Sequence, residues 1–329
     1  MPCNPRESDS CTAQGPTAVE GGVSLPWLWS PGIGYLAVLA ASCCWGLSWT
    51  AIKVLMVRIS PLALNWLQMV PALFFALGMH LVASRRAREA RYPINWLIIF
   101  GLTACVVFYT RNLGCQLTSP TTGSIISSLD VFFTALLSLW VLRVPLTTFS
   151  VAGGLLLLGG AALVMNVFSG VVVFSPLGYL VLILSALSTA VNALIIKLHF
   201  QHTTDATVVL ASAVVQCTVF APLLWATDQW HYVLEAARDP HLCLGVVGVS
   251  ILITVGLYLY YFAMKRAPMT NVRMLYLSSS GFAMITDYLW LGAAISASQI
   301  AGLLAVMLGA ALVIHGTPQQ PDSSPGLVR

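Results

Sequence analysis

The chain has 329 residues, of which 58% are hydrophobic and only 8% charged, with a formal net charge of +4. No water-soluble domain of this length hides so much apolar surface behind so few charges, so a soluble globular fold is excluded. No basic patch interleaved with aromatics is present, which excludes nucleic acid as a partner. The long apolar runs read as transmembrane helices, with the lipid bilayer as their solvent.

Eight cysteines are scattered without Cys-x-x-Cys spacing. Cys43, Cys44, Cys105, Cys115 and Cys217 fall inside apolar runs, where cysteine acts as a small hydrophobe. The pattern holds no disulfide framework and no metal site. No HExxH, GxSxG or P-loop is present, so no enzyme and no cofactor is expected, and direct ATP-driven transport by this chain alone is disfavoured.

Residues 1–32 are rich in Pro, Gly, Ser and Thr and are expected to form a disordered cytoplasmic tail. The apolar segment after them begins too late and runs too long for a signal peptide. Ten spans follow: roughly 33–57, 62–83, 94–117, 121–142, 149–168, 176–199, 206–226, 242–264, 269–292 and 298–316. Residues 317–329 form a polar cytoplasmic tail. Arg85, Arg86, Arg88 and Arg91 follow span 2, Arg143 follows span 4, and Lys265 and Arg266 follow span 8. The opposite loops hold Arg58 and Arg238. The basic excess predicts cytoplasmic termini on both ends of the chain. The longest external loop, about Thr227–His241, also holds Asp228, Glu235 and Asp239.

The chain contains one stretch twice. GYLAVLAASCCWGLSWTAIK at Gly34–Lys53 returns, 144 positions later, as GYLVLILSALSTAVNALIIK at Gly178–Lys197. Tyr109–Ser128 likewise aligns with Tyr261–Ser280, and Gly153 and Gly160 resemble Gly302 and Gly309. The chain therefore reads as two copies of one unit, 33–168 and 176–316. Each copy has an odd number of spans, five, so the second copy enters the membrane inverted. Inverted repeats are the usual plan of secondary transporters, with the site near midplane where the halves meet. The paired glycines lie on one helix face, two turns apart, and allow close helix approach; a homodimer contact is the second reading of the same faces.

Ionisable groups inside spans cost about 2.5–3.5 kcal/mol each on insertion scales and are functional candidates by default. Here they are Lys53, Arg111, Asp130, Lys197, Arg273 and Asp287. Lys53 and Lys197 lie near enough to span ends to snorkel. Lys53 also shares a helical face with Trp49, Gly46, Trp45 and Ser42, which is unlike a lipid face. Counted from the turn Thr118–Pro120, Arg111 is about 12 Å deep and Asp130 about 16 Å deep, at a rise of 1.5 Å per residue. Two readings stay open: a structural Arg111–Asp130 ion pair, or Arg111 holding a carboxylate or phosphate of the solute while Asp130 carries a proton or cation. Asp287 lies at a depth not far from Lys53. The stretches TSPTTGSIISS and LYLSSSG open spans 4 and 9 with hydroxyls and exposed backbone, suited to a ligand or to local unwinding.

The end of span 1, CWGLSWTAIK, and the stretches FYTRNLGCQLTSPTTGSII and YYFAMKRAPMTNV, with Gln299, Gly302 and Gly309, resemble the EamA-type repeat of the drug/metabolite transporter superfamily over about residues 33–316. The family often carries proline in the middle of the fourth span of each half; here Asp130 and Phe282 stand near those positions. Its leucine-glycine-glutamate ending is replaced by Leu142–Arg143–Val144 and Leu291–Gly292–Ala293, which singles out Asp130 and Asp287 as substitute carboxylates. The resemblance implies transport, often export, of small organic solutes such as amino acids, with spans 1, 3, 4, 6, 8 and 9 around a central cavity. A related branch carries nucleotide sugars and triose phosphates.

The sequence thus predicts an all-α integral membrane protein of ten transmembrane helices in two inverted repeats, located in the cell (inner) membrane and working by alternating access. Trp45, Trp49, Tyr109 and Tyr261 are expected to wall the site, and Ser127 and Ser280 to line it with hydroxyls. Lys53, Arg111 and Lys197 are expected to meet an anionic group of the solute. Asp130 or Asp287 is the expected protonation switch, as intramembrane carboxylates are in proton relays. The alternatives are a solute from the phosphorylated or nucleotide-linked sugars, and a membrane subunit that binds or assembles but moves nothing.

Overall fold

A computed structural model describes residues 31–84, 94–142, 147–164, 176–200, 203–264, 272 and 275–316. The tails, the basic loop residues Arg85, Arg86, Arg88, Arg91, Arg143, Lys265 and Arg266, and also Arg273, lie outside the described residues, as do the side chains of Lys197 and Tyr261. The described elements are helices: α1 Pro31–Leu55, α2 Pro61–Ser84, α3 Ile94–Leu117, α4 Pro120–Ser127, α5 Asp130–Leu142, α6 Thr148–Val164, α7 Pro176–His199, α8 Asp205–Ala226, α9 Trp230–Arg238, α10 Pro240–Met264, α11 Ser278–Leu291 and α12 Ala297–Gly316. Among the described residues seven stretches are long and apolar enough to cross a membrane, one of them Pro120–Leu137. The expected spans 5 and 10 appear as the shorter apolar helices Val151–Val164 and Ala297–Val313. The beginning of span 9 falls outside the described residues, and its described part is α11.

Span 4 is interrupted at the end of the stretch TSPTTGSIISS, whose residues suit local unwinding. It breaks at Ser128–Leu129 into α4 and α5. Here the N–H groups of Ser128 and Leu129 reach back only three residues, to Ile125 and Ile126. The Ser128 hydroxyl also takes the Ser124 carbonyl at 3.2 Å. Tightened turns and hydroxyls competing for backbone carbonyls are the usual causes of such interruptions. The loop Thr227–His241 departs from expectation, because it contains a helix, α9. Its apolar side includes Trp230, whose ring meets Trp66 of α2 edge-on at 5.1 Å. α11 ends on Gly292, whose φ of +63° is the left-handed conformation that favours glycine.

The helices pair in a regular way. α1 packs against α10 and α11, while α7 packs against α3 and α5. α2 packs on α8, α4 on α11, and α6 on α12. The α6–α12 contact is the most extensive among the described helices. A methyl added at Gly309 would lie 2.7 Å from the Gly153 carbonyl oxygen, and one at Gly160 would lie 2.8 Å from the Gly302 carbonyl oxygen. The pairing 153 with 309 and 160 with 302 runs in opposite directions, so the two helices are antiparallel. In lipid there is little hydrophobic drive between helices, and such backbone-to-backbone approach supplies the van der Waals packing instead.

One end of the bundle carries the ion pairs found among the described residues. Arg58, just past α1, places Nη1 2.7 Å from Asp239 Oδ2 and Nη2 2.7 Å from Glu235 Oε1. The other Asp239 oxygen accepts the backbone N–H of His241 at 2.9 Å, capping α10. This backbone hydrogen bond, and then the Arg58 guanidinium, hold the Asp239 carboxyl below its ordinary range.

Two outcomes test this packing. Gly309→Ala should lower the melting midpoint of the detergent-solubilised protein, since overpacking costs about 1–3 kcal/mol. Gly159→Ala, where an added methyl meets nothing within 4 Å, should leave the midpoint unchanged or raise it. The second test is pH. A carboxylate whose folded pKa lies below its unfolded value of about 3.9 contributes stability that is complete above that value and lost as pH falls through the folded one. The midpoint of the parent protein should therefore fall more steeply below about pH 4 than that of Asp239→Asn, and a parallel fall in both would refute the assignment.

Candidate functional site

The site is built around the turn from α3 to α4. Where a turn is buried from water, the last carbonyls of one helix and the first N–H groups of the next must find partners within the protein. At this turn they do. The Lys53 ammonium, from α1, donates to the carbonyls of Cys115 at 3.0 Å, Gln116 at 2.7 Å and Thr118 at 2.7 Å. The Thr118 hydroxyl takes the Gly114 carbonyl at 2.8 Å. On the α4 side, Pro120 has no N–H to satisfy. Thr121 gives its N–H at 3.2 Å and its hydroxyl at 2.6 Å to Asp287 Oδ2, from α11. The Thr122 N–H is taken by the Ser119 side chain at 3.1 Å, and that of Gly123 by the Ser119 carbonyl at 2.9 Å. A cation thus sits at the negative end of α3 and a carboxylate at the positive end of α4, as the helix dipole favours. Thr50 of α1 and Thr286 of α11 share a hydroxyl–hydroxyl bond of 2.7 Å, tying the two helices that carry these charges.

Next to the turn, Arg111 of α3 lies over the Trp49 ring, 4.4 Å from its centroid. Its Nη2 donates to the Ser48 hydroxyl at 2.9 Å, and that hydroxyl in turn donates to the Trp45 carbonyl at 2.7 Å. Trp49 is only 5% exposed, and its ring also meets Gly123, where an added methyl would lie 2.8 Å from it. Glycine is required there so that α4 can approach the indole. The Nε–H of Arg111 is buried and has no hydrogen-bond partner among the described residues. The buried hydroxyl of Ser127, at the end of α4, is in the same condition.

Trp45, one turn from Trp49, forms a three-ring cluster with Tyr260 of α10 at 5.4 Å and with Tyr276 at 5.1 Å. At the break in span 4, the hydroxyls of Ser128 and Ser280 meet at 3.3 Å. These two serines occupy the same position in the two sequence repeats. Asp130 opens α5 just beyond the break, in its first turn.

The structure therefore gathers Trp45, Trp49, Lys53, Arg111, Ser280 and Asp287 around α1, α3, α4 and α11. The Arg111–Asp130 ion pair weighed from depth does not form; Arg111 makes its contacts on α1. Tyr109 stands two residues from Arg111, on a nearly opposite face, and packs on Phe220 of α8 at 6.3 Å. Sequence reasoning missed Ser48, Thr50, Thr121, Thr286, Tyr260, Tyr276 and Ser128 as members. Thr121 and Ser128 lie inside the TSPTTGSIISS stretch, Tyr276 inside LYLSSSG and Tyr260 at the start of YYFAMKRAPMTNV, so those stretches carried a signal that the single residues did not.

The turn makes a direct prediction. Lys53→Met leaves three carbonyls without their charged donor. Hydrogen bonds to charged groups contribute about 1.5–3 kcal/mol each, so the loss should exceed that of Thr121→Val, which removes one such bond and keeps the N–H. Thermal unfolding in detergent would show it, and equal midpoints for the two variants would contradict this account of the turn.

A model of the EamA-like transporter family matches the chain twice, over residues 32–166 and 176–315. No curated protein sequence matches it. A solved structure titled only "Crystal structure of protein" superposes with a TM-score of 0.60 at 18% identity, over 88% of this chain and 98% of its own. That likeness speaks for the fold alone. The two family matches cover most of the sequence, and with the apolar helices described above they make this chain a multi-pass membrane protein that belongs to the EamA-like transporter family.

Proposed function

We propose that this protein is a secondary transporter, of the exporting kind, for small organic metabolites that carry an anionic group, such as amino acids. The observation that carries the reading is Arg111. It is a guanidinium in the membrane interior that rests on an indole face, keeps an unpartnered Nε–H, and sits among helices drawn from both repeats. A carboxylate or phosphate would engage such a fork bidentately. Ser127 and Ser280 would supply hydroxyls, and Trp45, Trp49 and Tyr261 the walls, with Lys197 and Tyr109 as the remaining candidates.

Alternating access between inverted five-helix repeats, with ten spans and both termini cytoplasmic in the cell membrane, is part of the same proposal. The helix pairings support it. Span 1 packs on spans 8 and 9, and span 6, its repeat partner, packs on spans 3 and 4. Span 5 meets span 10 through exchanged glycines, and Ser128 meets Ser280. A two-fold axis in the membrane plane produces such exchanged contacts.

Asp287 is the proposed coupling group, with Asp130 as the second candidate. As a carboxylate, Asp287 accepts two hydrogen bonds at the start of α4. Protonation would remove its attraction for that helix end and loosen the turn that frames Arg111.

Solute exchange in liposomes tests all of this. Labelled amino acids, nucleosides, organic acids and sugar phosphates should be offered to the purified protein. One anionic class should be carried, and Arg111→Ala should reduce its exchange about 10- to 100-fold, the equivalent of losing one charged hydrogen bond. Asp287→Asn should flatten the pH dependence; if it and Asp130→Asn both leave that dependence intact, coupling through these carboxylates is wrong. No exchange of any class by folded protein would favour a non-transporting membrane subunit.

A further inference from the structure

Four contacts tie residues 58–66, from the end of α1 into α2, to the segment around α9. Arg58 holds Asp239 and Glu235, each at 2.7 Å. The Ser60 hydroxyl donates to Gln229 Oε1 at 2.6 Å. Trp66 meets Trp230 edge-on. Each contact crosses from the first family unit, 32–166, to the second, 176–315.

We propose that Arg58 is the latch of a gate at this end of the bundle: the halves part here only when its guanidinium leaves both carboxylates. The inference rests on the alternating-access reading above and gives it a moving part. Glu235 closes α9, while Asp239 caps α10 through the N–H groups of His241 and Leu242. One side chain therefore grips two successive helices, and releasing either carboxylate alone leaves the other tie in place. The grip reaches the site, because α10 packs along α1 and presents Gly256 and Tyr260 to Trp45. Swinging the start of α10 away from Arg58 thus pulls on the aromatic cluster beside Arg111.

The pair is also suited to opening. The side chains of Arg58, Glu235 and Asp239 are 50%, 43% and 24% exposed, and they border an open cleft of about 530 Å³ shared with His231 and Arg238. Water reaches all three, so the separated charges are rehydrated at once. A buried pair would instead leave uncompensated charges when it opened. Deeper at the same end, Asp287 and Thr121 also join the halves, but inside the protein. The Arg58 contacts are the outermost of these ties and therefore the first to yield.

The test needs no knowledge of the solute. Val57 and Leu234 flank the latch and are 83% and 54% exposed. Spin labels on Val57→Cys and Leu234→Cys, in a background without reactive native cysteines, report the gap by electron–electron distance measurement in liposomes. With Arg58 present, one short distance should dominate. Arg58→Ala should raise the ratio of a longer-distance population about two- to tenfold, as expected for loss of exposed ion pairs, and 1 M salt should act in the same direction by screening. Glu235→Gln with Asp239→Asn should reproduce the shift without altering Arg58, which covers failure of Arg58→Ala to fold. Unchanged distances in both variants would overturn the latch, even where solute exchange is intact. A shift in distance with no exchange of any solute would uphold the latch and count against the transport reading instead.

Discussion

A turn between two membrane-spanning helices exposes two sets of backbone groups of opposite sign, and lipid satisfies neither. At Thr118–Thr121 this constraint is met by one ammonium and one carboxylate brought from other helices. Lys53 collects the carbonyls that end α3, and Asp287 accepts the donors that begin α4. Each charge lies at the helix end whose dipole favours it. The consequence reaches well beyond the turn. α1 and α11, which carry the two charges, are drawn to the same place and joined by Thr50 and Thr286. Gly123 is then set against Trp49, and Trp49 against Arg111.

The rest of the bundle is held by close packing more than by charge. Gly153, Gly160, Gly302 and Gly309 let α6 and α12 touch through their backbones. Gly46 does the same between α1 and α11, where an added methyl would lie 2.8 Å from the Ser279 carbonyl oxygen. Such contacts are short-ranged and exacting, so α1 and α11 form one stiff unit on which the polar turn is mounted. The exposed Arg58 cluster differs in kind. It is strong in geometry, open to water, and placed where segments of the two family units meet.

Much of this was legible in the sequence. The 144-residue recurrence of Gly34–Lys53 gave two units, and the family matches fall on nearly the same boundaries. Hydropathy could not reveal the break at Ser128–Leu129, because Ile125, Ile126, Leu129 and Val131 keep the stretch apolar across it. α9 was hidden for the opposite reason: nine residues with three charged or imidazole-bearing side chains among them read as loop. In the site, the direction in which a side chain points was not readable. Counting residues placed Arg111 and Asp130 at similar levels, yet Arg111 faces α1 and Asp130 stands beyond a helix break. The partners of Lys53 were unreadable in principle. They are backbone carbonyls, and no side-chain pattern announces them.

The two basic groups of the site differ in what they have left to give. Lys53 has three N–H donors and three carbonyls in hydrogen-bonding range, so a solute that recruits it must first dismantle the end of α3. Arg111 has five N–H donors and is held chiefly by an aromatic face and one hydroxyl. A cation–π contact contributes about 0.5–2 kcal/mol and tolerates small shifts of the cation. A buried arginine–carboxylate pair would be far harder to part, because separation leaves a bare charge in low dielectric. Resting on Trp49 instead of on Asp130, the guanidinium stays buried without being committed to an anion of the protein's own. Of the two, Arg111 therefore keeps donors free for a further partner, and Lys53 holds its helix end in place.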